Sequence, residues 1–182
     1  MIHLERKLPK MHTKDIGIIF LGKTKSKTIP ILSIKSSMSK RKNILIIGNG
    51  HSVLEYSFGK QINNISIVGR INNFTISNYS EYIGKKTDIW FNGANQNLKR
   101  QKEIPNEVVV FIPPQILRRK KEKIHDQISR RLHIDKEKYS LIPLETMESY
   151  EILIGVKRLT TGTSCILWSV ENFEKVIIHG FD

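Results

Sequence analysis

From Asn43 onward, apolar runs just long enough for a β-strand recur between longer polar segments: residues 44–47, 65–68, 88–91, 108–112, 139–142 and 176–178. Strands written as continuous apolar runs, and spaced too far apart for tight turns, pair in parallel with helices making the return crossings. The pattern therefore predicts an α/β, Rossmann-like fold, a mainly parallel sheet flanked by helices. With 182 residues, 39% of them hydrophobic, the chain holds enough apolar material for one domain with a core.

Residues 1–42 read differently. They are rich in Lys, Ser and Thr, with two short apolar runs, 16–21 and 29–34, on either side of Gly22-Lys23-Thr24-Lys25-Ser26-Lys27. This fits a basic N-terminal extension or loose hairpin, leaving 43–182 as the Rossmann-like domain. Gly17 through Gly22-Lys23-Thr24 has the spacing of a triphosphate-binding loop. Its four interior positions are bulky and apolar, and no amphipathic helix follows before Pro30, so that reading fails on context.

Three helical segments are expected. One is short, at 53–58. A second runs over 115–133, with Leu117, Ile124, Ile128 and Leu132 near one face and Arg118, Arg119, Lys120, Lys121, Lys123, Arg130 and Arg131 on the other. The third follows Thr161-Gly162 and turns 165–170 inward. A basic face of this kind is first a solvated surface, and second a peripheral contact with anionic membrane.

Thirty Lys and Arg against seventeen Asp and Glu give a formal charge of +13, which favours anionic partners. A single Cys165 rules out an internal disulfide framework, and no Cys/His cluster has zinc-like spacing. No apolar run approaches the roughly 20 residues a spanning helix needs, and no signal-peptide pattern is present. The expected location is cytoplasmic, soluble or attached to the inner face of the membrane.

The chemistry concentrates where strands end. Gly48-Asn49-Gly50-His51-Ser52 follows the first apolar run, so backbone N–H groups and a hydroxyl can meet a phosphate. Val53 stands where a dinucleotide-binding turn carries its third glycine. Arg70, ending the next run where a 2′-phosphate could be met, keeps an NADP-binding oxidoreductase as a minor alternative. Asn72 and Asn92 sit at successive strand ends; amides there can bind phosphate, carboxylate or ribose without adding charge, although a single Asn is more simply a turn or cap residue. Thr160-Thr161-Gly162-Thr163 places hydroxyls and free N–H groups at a helix N-terminus, with Arg158 just before it.

These segments together resemble the sialyltransferases, the bacterial enzymes and more faintly the animal ones. Gly48-Asn49-Gly50-His51-Ser52 is similar to their Gly-Asn-Gly-Pro-Ser turn, Arg70-Ile71-Asn72-Asn73 to their Arg-x-Asn segment, and Gly84-Lys85-Lys86 through Asn92 to the Gly-x-Lys stretch before the next strand. Arg158-Leu159-Thr160-Thr161-Gly162, closing in Gly180-Phe181-Asp182, resembles the second family motif. The matches span residues 43–182 in family order. His51 replaces the usual Pro, and Thr161 the usual Ser.

The resemblance implies a glycosyltransferase that moves an acidic sugar, sialic acid or Kdo, from a CMP-sugar donor to a glycan or lipid-linked glycan acceptor, with inversion and without an essential metal or cofactor. Gly48, Asn49, Gly50, Ser52, Asn72, Thr160, Thr161 and Gly162 would then bind the donor nucleotide, and Asn92 and Arg158 would face the donor sugar or acceptor. The family's tyrosine and histidine beyond the Gly-x-Asp strand have no counterpart here, so no catalytic residue is assigned and a truncated, donor-binding part is expected. A basic nucleic-acid-binding protein is the alternative from another class. It is disfavoured because aromatic residues, 8% of the chain, form no stacking series among the basic ones.

Overall fold

The computed structural model describes residues 12–16, 18–20, 29–33 and 41–182. Its strands are β1 (His12–Ile16), β2 (Ile18–Phe20), β3 (Ile29–Ser33), β4 (Arg41–Ile47), β5 (Ile67–Ile71), β6 (Ile89–Asn92), β7 (Glu107–Val110), β8 (Ser140–Leu141) and β9 (Phe173–His179). The helices are α1 (Gly59–Asn63), α2 (Ser80–Ile83), α3 (Pro114–Lys120), α4 (Lys123–Leu132), α5 (Leu144–Ile154) and α6 (Thr161–Asn172).

The main sheet has seven strands in the order β2-β9-β4-β5-β6-β7-β8, and every pairing in it is parallel. The chain walks outward from β4 to β8, then returns through α6 to place β9 on the other side of β4. The α/β reading therefore holds, and each apolar run of the domain contributes a strand. Near the N-terminus the two apolar runs part company: β3 pairs antiparallel with β1, whereas β2 joins the main sheet beside β9. The triphosphate-loop residues Gly22-Lys23-Thr24, with the remainder of 1–11, 17, 21–28 and 34–40, lie outside the described residues.

Alternation along β4 shows why its run is apolar throughout. Ile44 and Ile46 pack with Cys165, Val170, Phe173 and Val176, while Leu45 and Ile47 pack with Ile62, Val68 and Ile83. Each is buried, and each such burial stabilises by roughly 1.5–3 kcal/mol. On β7, Val109 joins the first cluster, whereas Val108 and Val110 meet Ile124, Ile128 and Leu132 of α4. Helices thus cover both faces.

Two helix expectations are corrected. The segment 115–133 is two helices, α3 and α4, broken at Lys121, which has φ 46°. No apolar residue between Leu117 and Ile124 anchors the turn, and four consecutive cations at 118–121 repel one another at helical spacing. The short helix expected at 53–58 starts earlier, as a 3-10 turn over His51–Leu54, and the chain becomes helical again only in α1. The helix after Thr161-Gly162 is α6, with Ser164, Cys165, Leu167, Ser169 and Val170 buried as the pattern required. Among the described residues, no helix is long and apolar enough to cross a membrane.

Candidate functional site

The carboxyl ends of β4 and β9 are sewn together. The Gly48 amide donates to the His179 carbonyl at 2.8 Å and the Gly50 amide to the Gly180 carbonyl at 3.0 Å. A β-carbon on Gly48 would collide with the Gly180 carbonyl, so only glycine allows this approach. Ser52 completes the seam: its amide donates to Asp182 Oδ2 at 3.1 Å and its hydroxyl to Asp182 Oδ1. These bonds hold the Asp182 carboxyl below the usual carboxylate range.

Phe181 lies between the two motifs. β-Carbons built on Gly48 and on Gly162 would each stand 3.2 Å from its ring. The glycine turn after β4 and the threonine turn before α6 therefore share one edge of the sheet and one aromatic spacer. From Gly48 the ring of contacts continues: Asn49 Nδ2 donates to the Ile71 carbonyl at 3.1 Å, and Asn72 Oδ1 accepts from the Gly93 amide at 2.9 Å. Gly93 is packed so closely on Thr161 that a β-carbon would strike the threonine hydroxyl.

Two cavities open on this edge. The larger, about 860 Å³, is lined by Asn72, by the loops after β6 (Gly93 to Asn97) and β7 (Phe111 to Pro113), by α3 and α4, and by Arg158, Leu159, Thr160, Thr161 and Ser164. The smaller, about 230 Å³, is lined by Gly48, Asn49, Gly50 and His51 together with Arg70, Asn73, Phe74 and Tyr79. Of the expected site residues, Asn72, Arg158, Thr160 and Thr161 line the larger cavity and Gly48, Asn49 and Gly50 the smaller, whereas Ser52, Asn92 and Gly162 line neither.

Asn72 has the left-handed backbone (φ 48°) that Asn tolerates better than most residues. Its amide donates to the Phe91 carbonyl, its carbonyl accepts from Trp90 Nε1, and its Oδ1 holds Gly93, leaving Nδ2 without a hydrogen bond among the described residues. Thr160 is the N-cap of α6: its Oγ1 accepts from the Thr163 amide at 3.1 Å. The Thr161 hydroxyl and the Thr161 and Gly162 N–H groups bond nothing in the described chain. They are the orphan donors of a helix N-terminus, and they face anions by nature. Arg158 is exposed with φ 61°, and its backbone amide donates to Glu151 Oε1.

Asn92 stands apart from the cavity walls. It is fully buried, with Oδ1 accepting from the Ala94 amide at 2.7 Å and Nδ2 unpartnered among the described residues. Arg70 is structural. It is 1% exposed, and Nε and Nη2 donate to the carbonyls of Ile83, Gly84 and Lys86 and to Thr87 Oγ1. Burial lowers its pKa to about 10, so it stays charged near neutrality. Nε and Nη2 are engaged by the chain and Nη1 is buried without a hydrogen bond among the described residues, so the fold holds Arg70 in the wall of the smaller cavity.

Among the described residues, His51 lines the smaller cavity, whereas His179 is buried, His125 Nδ1 is 2.8 Å from the Tyr139 hydroxyl, and His133 ends α4 in a left-handed turn. Sequence reasoning missed Gly93, the amide-rich loop Asn95-Gln96-Asn97 and the spacer Phe181. The only signal for them was position: Gly93 directly follows a strand run, and Asn95-Gln96-Asn97 is a cluster of neutral hydrogen-bonding groups at the edge where open sheets bind ligands.

With this edge in view, the likeness to known proteins has a structural meaning. The family model of glycosyltransferase family 29 (sialyltransferase) matches residues 20–182. The chain belongs to this sialyltransferase family. The match covers β4 to β9 and both turns, and it displaces the nucleic-acid-binding alternative. The crystal structure of a mammalian sialyltransferase shares the fold, with TM-score 0.63 and 16% identity over 78% of this chain and 55% of that one. A mammalian sialyltransferase in complex with Gal-beta-1-3GalNAc-ortho-nitrophenol gives TM-score 0.61 at 16% identity, over 78% of this chain and 56% of that one. The chain thus spans little more than half the length of these solved relatives. No curated protein sequence matches it.

Proposed function

We propose that this family member binds a CMP-activated acidic sugar, sialic acid or Kdo, as donor for transfer to a glycan or lipid-linked glycan acceptor, with no essential metal. The observation that carries this reading is the unbonded donor set at the start of α6: Thr161 N–H and Thr161 hydroxyl beside Asn72 Nδ2 in the lining of a cavity of about 860 Å³, with the Gly162 N–H next in the same helical turn. Aligned peptide dipoles and free N–H groups favour an anion there by about 1 kcal/mol or more, and a nucleotide phosphate is such an anion.

Asn49, Gly48 and Gly50 border the adjoining chamber, which takes the nucleoside end in this scheme. Ser52 acts indirectly, by tying the first turn to Asp182. Thr160 supports the phosphate site by capping α6, and Arg158 supplies a cation at the rim for a carboxylate or phosphate. Asn92 shapes the loop beneath the cavity through its bond to Ala94 rather than by meeting the sugar directly. The reaction belongs with the cytoplasmic face of a membrane if the acceptor is lipid-linked.

Calorimetric titration with CMP tests the reading. Binding is expected for the intact chain, and Thr161→Ala is expected to weaken it about tenfold, the effect of losing one hydrogen bond to a charged group. Equal affinity for CMP and for a short oligonucleotide, both falling steeply with salt, would argue instead for charge alone.

A further inference from the structure

The donor proposed above brings one phosphodiester and one carboxylate. The large cavity offers more positive charge than that pair needs: Arg119, Lys120, Arg131 and Arg158 line it, and no Asp or Glu does. The surplus sits on the α3–α4 side. Arg131 Nη1 donates to the Ala94 carbonyl at 2.6 Å, which fixes the guanidinium at the cavity and leaves its other donors unbonded among the described residues. Arg119 and Lys120 have no ion-pair partner among the described residues, whereas their neighbour Arg118 is paired with Glu148 of α5. The same helix therefore neutralises the cation it turns toward α5 and leaves unneutralised those it turns toward the cavity. Like charges gathered in a concave site repel one another, and the arrangement is relieved when an anion enters.

Resting on the donor reading above, we infer that the acceptor is itself anionic, a glycan bearing a carboxylate or a phosphate, and that Arg119, Lys120 and Arg131 select it. The α6 end of the cavity takes the donor's phosphate; the α3–α4 side takes the acceptor's charge. The neutral amides of Asn95, Gln96 and Asn97 then meet its hydroxyls without opposing that charge.

The test is calorimetry on the full chain at fixed salt, with CMP present, using 3′-sialyllactose, galactose 6-phosphate and lactose as probes. The anionic probes should bind at least about fivefold tighter than lactose, and the better of the two identifies carboxylate or phosphate as the recognised group. Arg119→Gln with Lys120→Gln should weaken the anionic probes about fivefold or more while the affinity for CMP holds. The control pair Lys123→Gln with Arg130→Gln removes the same charge from α4 outside the cavity and should change neither. Equal binding of lactose and 3′-sialyllactose, or equal damage from the control pair, overturns the inference while leaving CMP binding intact. Failure of CMP to bind while 3′-sialyllactose still exceeds lactose would overturn the donor reading and keep the anionic site.

Discussion

Asn72 Oδ1 accepts the amide hydrogen of Gly93 at 2.9 Å, so the end of β5 holds the loop that leaves β6. Because Asn72 also adopts a left-handed backbone, its replacement acts twice. Asn72→Ala should lower stability by about 1–2 kcal/mol, from the strained backbone and the lost bond, and should weaken CMP binding because Nδ2 is lost as well. Asn72→Gly relieves the backbone and should recover part of the stability but none of the affinity. Urea unfolding with CMP titration of both variants separates the two effects; equal affinity in all three proteins would remove Asn72 from the site.

The β6 loop and α6 approach closely at Gly93 and Thr161. A methyl group on Gly93 must push the Thr161 hydroxyl away, so Gly93→Ala should cost about 1–3 kcal/mol and much of the CMP affinity. Adding Thr161→Ala makes room. The double variant should regain stability relative to Gly93→Ala alone and still bind CMP poorly, which a double-mutant cycle reads directly. Additive losses of stability would mean that the two residues do not press on each other.

Arg70 resembles a ligand-binding cation by position and is a structural one by contact. Lys in its place keeps the charge but cannot reach the carbonyls of Ile83, Gly84 and Lys86 together. Arg70→Lys should destabilise the fold by roughly 2–3 kcal/mol, lowering the thermal midpoint by roughly 5–10 °C, while the affinity of the folded protein for CMP is unchanged. A large loss of CMP affinity without loss of stability would return Arg70 to the binding machinery.

This pair of roles marks where sequence reading succeeds and where it stops. The strands are legible because a parallel strand covered on both faces must be apolar along its whole length, as residues 44–47 are. The threonine turn is legible because a cap and its helix are neighbours in sequence. Arg70 is not, since its partners lie 13 to 17 residues away and, apart from the Thr87 hydroxyl, are backbone carbonyls that any sequence would supply. Nor is the division of the site into two chambers, which depends on how loops distant in sequence meet at one sheet edge. The basic stretch 118–121 is visible as charge, but only the break at Lys121 and the pairing of Arg118 with Glu148 decide which cations meet the cavity.

The Ser52 to Asp182 seam should respond to acid. Hydrogen bonds from Ser52 depress the Asp182 pKa in the folded chain, so its contribution is present in full above the unfolded value of about 3.9 and is lost as pH falls through the lower folded value. Asp182→Asn should therefore lower the urea midpoint near neutral pH, and the gap from the parent chain should close in acid. A gap that stays constant with pH would assign the effect to packing rather than to the charge.

Cys165 reports on the same helix that carries the proposed phosphate site. It is fully buried in α6, its Sγ donates to the Gly162 carbonyl at 3.1 Å, and burial pushes the thiol far above its usual pKa. Only the thiolate reacts with alkylating agents, so the native protein should resist iodoacetamide at mildly alkaline pH and react at once in denaturant. Residual labelling under native conditions then measures transient opening of α6. A ligand that binds the closed form suppresses that opening by mass action, so CMP should slow the labelling, and Thr161→Ala should need about ten times the CMP concentration for the same protection. Mass spectrometry of the labelled protein follows both. Protection at the same CMP concentrations in Thr161→Ala as in the parent chain would place the nucleotide away from the start of α6.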